Sequence, residues 1–205
     1  DLENGEIKLE IPVAETQDFG STAGSDCRRG GGIAMKAQNG ALYYISAHAH
    51  DGAINVWRPG QPARRLTGED CSADFFDIQG DVMVSVGFAG CDLQEVYRVD
   101  LASGKQTRLS DFNQGALEGK YVAAPQPLNF VNKQGDIIEG WALLPKDYDP
   151  AKRYPAVLDI HGGPRAIFGT CFFHQMQTMA SDGCFVVFCN PPGSGGRGDK
   201  FADIS

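Results

Sequence analysis

The tetrad His161-Gly162-Gly163-Pro164 follows directly on the apolar run Ala156 to Ile160. Two successive glycines, lacking Cβ atoms, let the chain turn sharply and present unshielded N–H groups to a small anion. Acyl transfer needs such donors where the charge of a tetrahedral intermediate develops. A plain tight turn asks for the same residues, so the tetrad alone leaves both readings open. A second glycine-rich loop, Asn190-Pro191-Pro192-Gly193-Ser194-Gly195-Gly196-Arg197-Gly198, comes after the apolar run Cys184 to Cys189. Residues 193–198 satisfy G-x-G-x-x-G, the pattern that cradles a dinucleotide pyrophosphate at the start of a helix. Against that use, Pro191 and Pro192 separate the strand from the glycines, and the sequence given supplies no acidic residue about 20 positions further on.

Other chemistry-bearing residues are sparse. His48 and His50 alternate ahead of Asp51-Gly52 and could face one side of a strand as a metal pair. No further His or Cys cluster completes a site, so a structural or solvent-facing role is expected and no metal or cofactor is called for. A hydrolase nucleophile elbow reads G-x-S-x-G. No serine in this sequence has both glycines; Ser194 comes nearest, with Gly196 after it and Pro192 where the first glycine belongs. Of the histidines, 48 and 50 lie in the first half, 161 in the glycine loop and 174 in a helical stretch, so none stands out as a general base.

The elements that must position these loops change rhythm near Pro127. Before it, short apolar or alternating runs (Ala41 to Ser46, Ala53 to Trp57) are broken by Asp51-Gly52 and Pro59-Gly60, the pattern of an antiparallel meander. An internal echo runs through it: Val56-Trp57-Arg58 then Arg65-Leu66-Thr67, and Val96-Tyr97-Arg98 then Arg108-Leu109-Ser110, with spacings of 40 and 43 residues. Strand units at that period are the spacing of β-propeller blades; two similar hairpins in another β-sheet would give the same echo. Residues 1–127 therefore read as a partial β-propeller of about three blades, whose open edges call for a cover. Trp57, Tyr97, Phe75 and Phe76 are expected to pack between the units. After it, Phe130-Val131 and Ile137 to Leu144 bracket a turn, Ala156 to Ile160 reads as a central parallel strand, and Phe172, Met176 and Met179 recur at helical spacing up to Asp182-Gly183. Strand, helix and strand make a right-handed crossover, so residues 128–205 read as the opening of an α/β domain. In open α/β sheets functional loops follow the carboxyl ends of strands, which is where both glycine loops fall.

Composition excludes several function classes. At 205 residues, 42% hydrophobic and 21% charged, the chain is an ordinary globular mixture able to bury a core. A net charge of −8 argues against nucleic acid or an anionic membrane as partner. The six cysteines (27, 71, 91, 171, 184, 189) form no C-x-x-C pair and read as buried thiols of a reducing compartment. The charged opening DLENGEIKLE is unlike a signal peptide, and no run reaches the roughly 20 apolar residues of a membrane span, so a cytoplasmic location is expected.

Taken in order, Tyr154-Pro155, the apolar strand, His161-Gly162-Gly163-Pro164, the helix, Asp182-Gly183, the second strand, Asn190-Pro191, Gly193 to Gly198 and Phe201-Ala202-Asp203 resemble the prolyl oligopeptidase family of serine peptidases, in its acylaminoacyl-peptidase and dipeptidyl-aminopeptidase-like branch. The resemblance spans roughly residues 40 to 205 and is most specific in the last fifty. It implies a β-propeller ahead of an α/β-hydrolase domain and acyl transfer on short peptides. It also implies that the Gly163 N–H helps hold the oxyanion, while His161 takes the slot where some relatives place a tyrosine hydroxyl. Pro192 stands where the family usually has arginine. The family's nucleophile, aspartate and histidine follow later than Ser205, so the chain is expected to be a piece of a longer enzyme, inactive alone. Its partners would be short peptides, the remainder of its own propeller and hydrolase domain, and, as a further expectation, a second copy of itself. Two other readings stay open: a nucleotide-binding α/β domain using Gly193 to Gly198, and a non-catalytic β-propeller scaffold.

Overall fold

The computed structural model describes residues 17–203; the opening segment read above for targeting lies outside the described residues. A first sheet is built from β1 (Gln17–Phe19), β2 (Met35–Gln38), β3 (Ala41–His48), β4 (Asp51–Trp57), β5 (Arg64–Arg65), β6 (Cys71–Gln79), β7 (Val82–Ala89), β8 (Glu95–Val99) and β9 (Gln106–Arg108). All its pairings are antiparallel except a single parallel bridge, Gly52↔Ser72, which joins β4 to β6. The described residues thus form two four-stranded meanders, β2 to β5 and β6 to β9, with β1 extending the β2 edge by pairing with the far end of β3. The β2–β3 hairpin turns on Asn39-Gly40, both in the left-handed region, the combination that matches strand twist in a two-residue turn.

The sequence echo is a repeated hydrogen-bond unit. In the first meander the Leu66 N–H donates to the Ile54 carbonyl (2.8 Å) and the Ile54 N–H donates to Thr67 Oγ1 (3.0 Å). In the second, the Leu109 N–H donates to the Val96 carbonyl (2.8 Å) and the Val96 N–H to Ser110 Oγ (2.9 Å). Arg65 and Arg108 each send Nε to the carbonyl two residues on, and each reaches a buried carboxylate, Asp51 or Glu95. Burial works to raise the Glu95 carboxyl, yet donors from Ser110, Asn113 and Phe112 hold it down to about 2. Ile54, not Val56, is the counterpart of Val96, so the echo in sequence is two residues out of phase with the one in space. Between the meanders, Tyr43, Ile45, Ile54, Phe76, Ile78, Met83 and Val99 form one core.

After a short helix α1 (Gln114–Leu117), a second sheet has the order β10 (Gln126–Pro127), β12 (Ile137–Leu143), β14 (Phe185–Asn190), β13 (Ala156–Asp159), with β11 (Phe130–Val131) hairpinned onto β12. β13 and β14 are parallel and are joined through α2 (His174–Ser181), the expected crossover. Met176 and Ala180 bury the face of α2 against Trp141, Val186 and Phe188. Gly183 (φ +93°) ends the helix, its N–H returning to the Ala180 carbonyl at 3.1 Å. A last short helix, α3 (Asp199–Ala202), follows the second glycine loop.

Among the described residues β13 has β14 beside it on one edge, and Leu158 is 60% and Ile160 73% exposed. One expectation needs correction. Of the cysteines only Cys71 is buried; the other five are half-buried, and all six are free thiols.

Candidate functional site

Both glycine loops leave the carboxyl ends of the parallel pair, and they interlock. The His161 ring contacts Ser194 Oγ through Nε2 at 2.9 Å, and its Nδ1 lies 2.8 Å from the Gly162 carbonyl. A carbonyl only accepts, so Nδ1 carries a proton. The Ser194 hydroxyl donates to the Pro191 carbonyl at 2.7 Å, so one buried oxygen ties the second loop both to itself and to the His161 ring. Ser194 is fully buried, so this serine–histidine contact braces two loops and offers no nucleophile to a substrate.

Further down the loop the Asn190 side chain copies a strand neighbour: the Phe168 N–H donates to its Oδ1 and its Nδ2 donates to the Phe168 carbonyl, each at 2.8 Å. Arg165 pairs with Asp199 at 2.6 Å. The Phe168 ring meets His161 edge-on at 5.1 Å between centroids and Phe188 at 5.5 Å, which anchors the loop to the second core. Within this frame Gly163 is exposed, and among the described residues nothing accepts its N–H. His161 and Gly162 line a cleft of about 450 Å³, together with Thr22, Asp26, Asp159 and Phe168; Gly163 stands just outside that lining.

One wall of the cleft comes from the segment after β1, which also fixes the site. Both carboxylate oxygens of Asp26 accept from the start of α2, His174 N–H at 2.6 Å and Gln175 N–H at 2.9 Å, serving as an N-cap from a distant part of the chain. The Gly24 N–H donates to the Ile167 carbonyl (2.7 Å) and Ser25 Oγ to the Phe172 carbonyl (2.7 Å). Asp18 Oδ2 accepts the Gly196 N–H at 2.5 Å, and the Gly196 carbonyl accepts from the Ala49 N–H at 2.6 Å. A Cβ at residue 195 or 196 would collide with Asp18 and Arg165 or with the Ala49 backbone. Gly195 and Gly196 thus answer to close packing against the first sheet. The Gly196 amide is already held by a carboxylate, where a nucleotide reading would need it for phosphate.

His48 and His50 do not converge. The His50 ring sits edge-on to Trp141 (5.4 Å), with Nδ1 3.6 Å from Glu139 Oε1, while His48 lines a separate cleft with Arg197 and Lys200. Glu139 lifts the His50 pKa above its usual value against the opposing effect of burial, and His50 in turn lowers that of Glu139. Among the described residues no group of three or more His, Cys, Asp or Glu is placed to hold a metal. Sequence reasoning missed Asp18, Asp26 and the Asn190 clamp. Only Asn190 carried a signal, an Asx residue where a strand gives way to Pro191, because the other two act across the whole length of the chain.

No family model matches the chain. Among curated proteins, it is 30% identical over 109 residues to the uncharacterized peptidase YuxL of Bacillus subtilis, covering 53% of this chain and 16% of the relative. It is 37% identical over 147 residues to a probable dipeptidyl-peptidase 5 of Aspergillus clavatus (70% and 20%), and 26% identical over 163 residues to the dipeptidyl-peptidase 5 of Porphyromonas endodontalis (77% and 23%). Among solved structures, the acylaminoacyl peptidase of Pyrococcus horikoshii superposes with a TM-score of 0.72 at 24% identity over 82% of this chain and 26% of its own. A puromycin-hydrolyzing peptidase of Mycobacterium tuberculosis gives 0.65 at 20% identity, over 97% and 31%. The chain spans about a fifth of the length of these curated relatives. Over this fraction of their length the chain is similar in sequence to these peptidases and shares its fold with two solved ones.

Proposed function

We propose that the chain is a stretch of a serine peptidase that hydrolyses short peptides by acyl transfer, and that it contributes the oxyanion loop. The two meanders joined at Gly52↔Ser72 are read as neighbouring blades of a β-propeller, and the residues from about 128 as the opening of the α/β-hydrolase domain. The supporting observation is the Gly163 N–H: exposed, unpartnered among the described residues, and carried on a loop pinned through His161 to Ser194 and through Phe168 to Asn190. An oxyanion donor must be free in the resting protein and fixed in place, because its benefit lies in needing no reorganisation when charge develops. The serine, aspartate and histidine of a triad would come from the part of such a protein that this chain does not share with its longer relatives.

The test uses the longer protein and residues 1–205 in parallel. A fluorophosphonate should label the former and leave the latter unlabelled. Replacing the Gly163 amide by a backbone ester, which removes the N–H and little else, should cut kcat by about 100-fold or more with KM little changed. A kcat within about twofold of the all-amide protein would remove Gly163 from the oxyanion hole.

A further inference from the structure

A groove of about 1080 Å³ opens on the first sheet between the two meanders. It is lined from β3, β4 and β5 on one side and from the β6–β7 and β8–β9 turns on the other, and shares no residue with the cleft at His161. Its apolar lining includes Tyr43, Val56 and Leu101, and Arg58, Arg64 and Arg65 border it. Arg65 is spoken for by Asp51 at 2.7 Å. The other two are held by neutral oxygens: Arg58 Nη1 donates to the Asn39 carbonyl at 3.0 Å and Arg64 Nη2 to the Leu101 carbonyl at 3.3 Å. Neither has an ion-pair partner among the described residues, and Asp81 is the one carboxylate in the lining.

Arg58 and Arg64 set two held guanidiniums over one apolar floor on a chain of net charge −8. Isolated surface arginines would be ordinary; their fixing at the border of one groove is what calls for a ligand. A small oxyanion would leave the apolar floor unused, and the groove slightly exceeds the usual small-ligand range of roughly 300 to 1,000 Å³. Among the described residues β5 is paired only to β4, so its outer main-chain edge is open there to an added strand. We propose that this groove docks an acidic, extended peptide segment of a partner protein, with carboxylates on Arg58 and Arg64 and intervening apolar side chains on Tyr43, Val56 and Leu101. The site is independent of the peptidase reading and would serve recruitment or anchoring, not turnover.

The test measures fluorescence anisotropy of a labelled decapeptide alternating Glu and Val against the full chain. Three comparisons accompany it: the Gln-for-Glu peptide, the double variant Arg58→Glu, Arg64→Glu, and long-chain polyphosphate as competitor. Both arginines are exposed, so the variant should melt within about 2 °C of the parent. The acidic peptide should bind, at least about tenfold more tightly than its neutral counterpart and than to the variant, and more weakly as salt rises. Equal binding of the two peptides, indifference to the charge reversal, no binding at millimolar peptide, or polyphosphate binding more tightly than the peptide would each overturn the assignment.

Discussion

At the scale of single residues, the candidate site depends on side chains that impersonate backbone. Asn190 is 1% exposed and supplies both a donor and an acceptor to Phe168, doing for an irregular loop what a strand neighbour does for a strand. Removing it leaves a buried N–H and a buried carbonyl without partners, each costing about 1–3 kcal/mol. Asn190→Ala should therefore lower unfolding free energy by about 2–4 kcal/mol in urea titration. It should also weaken the hold on the loop that carries His161 and Gly163. A loss below about 0.5 kcal/mol would mean that water replaces the amide freely and that the clamp is incidental.

Secondary-structure elements here are reinforced from far along the chain. α2 lacks a capping side chain at its own N-cap, Phe173, and takes Asp26 in its place, so the helix start is coupled to the segment that walls the cleft. Asp26→Ala should cost about 1 kcal/mol, and Asp26→Asn, which keeps one acceptor, less than that; thermal melts of the two variants distinguish them. Elements set by nearby residues were legible in the sequence. The β11–β12 hairpin, α2 with its Gly183 stop and the β13–α2–β14 crossover all follow from local periodicity and turn residues. Elements set by distant partners were not. The Asp26 cap depends on a residue 148 positions away, and the two-residue phase of the repeat on which strand pairs a turn selects. The His161–Gly163 loop was legible as a loop, while its bracing by Ser194 and Asn190 was hidden, since neither partner's burial is encoded within a few residues of it.

At the scale of the whole molecule, the parts that carry the two sheets are joined among the described residues by main-chain bonds at Gly24–Ile167 and Ala49–Gly196, by the Asp18, Ser25 and Asp26 side chains, and by the ion pair of His50 with Glu139. Asp51 and Asp70 add to the pull of Glu139 on the imidazole, and Arg197 and His48 add to the pull of His50 on the carboxylate. The raised His50 pKa contributes stability that is fully present below its ordinary value of 6.5 and is lost as pH climbs through the higher folded value. The lowered Glu139 pKa contributes stability present above its ordinary 4.5 and lost as pH falls through the lower folded value. The pair therefore supports the junction most strongly between those two ordinary values. Its partial exposure keeps the effect to the scale of a screened ion pair, about 1–3 °C in melting temperature for a chain of this size. His50→Gln and Glu139→Gln should each melt below the parent near pH 5.5, and the His50→Gln deficit should shrink as pH climbs through the raised pKa of the folded imidazole. Raised salt should narrow the gap at the lower pH and leave it unchanged at the higher. A deficit constant from about pH 5 to 9 would assign His50 to packing against Trp141, with no electrostatic part in holding the two sheets together.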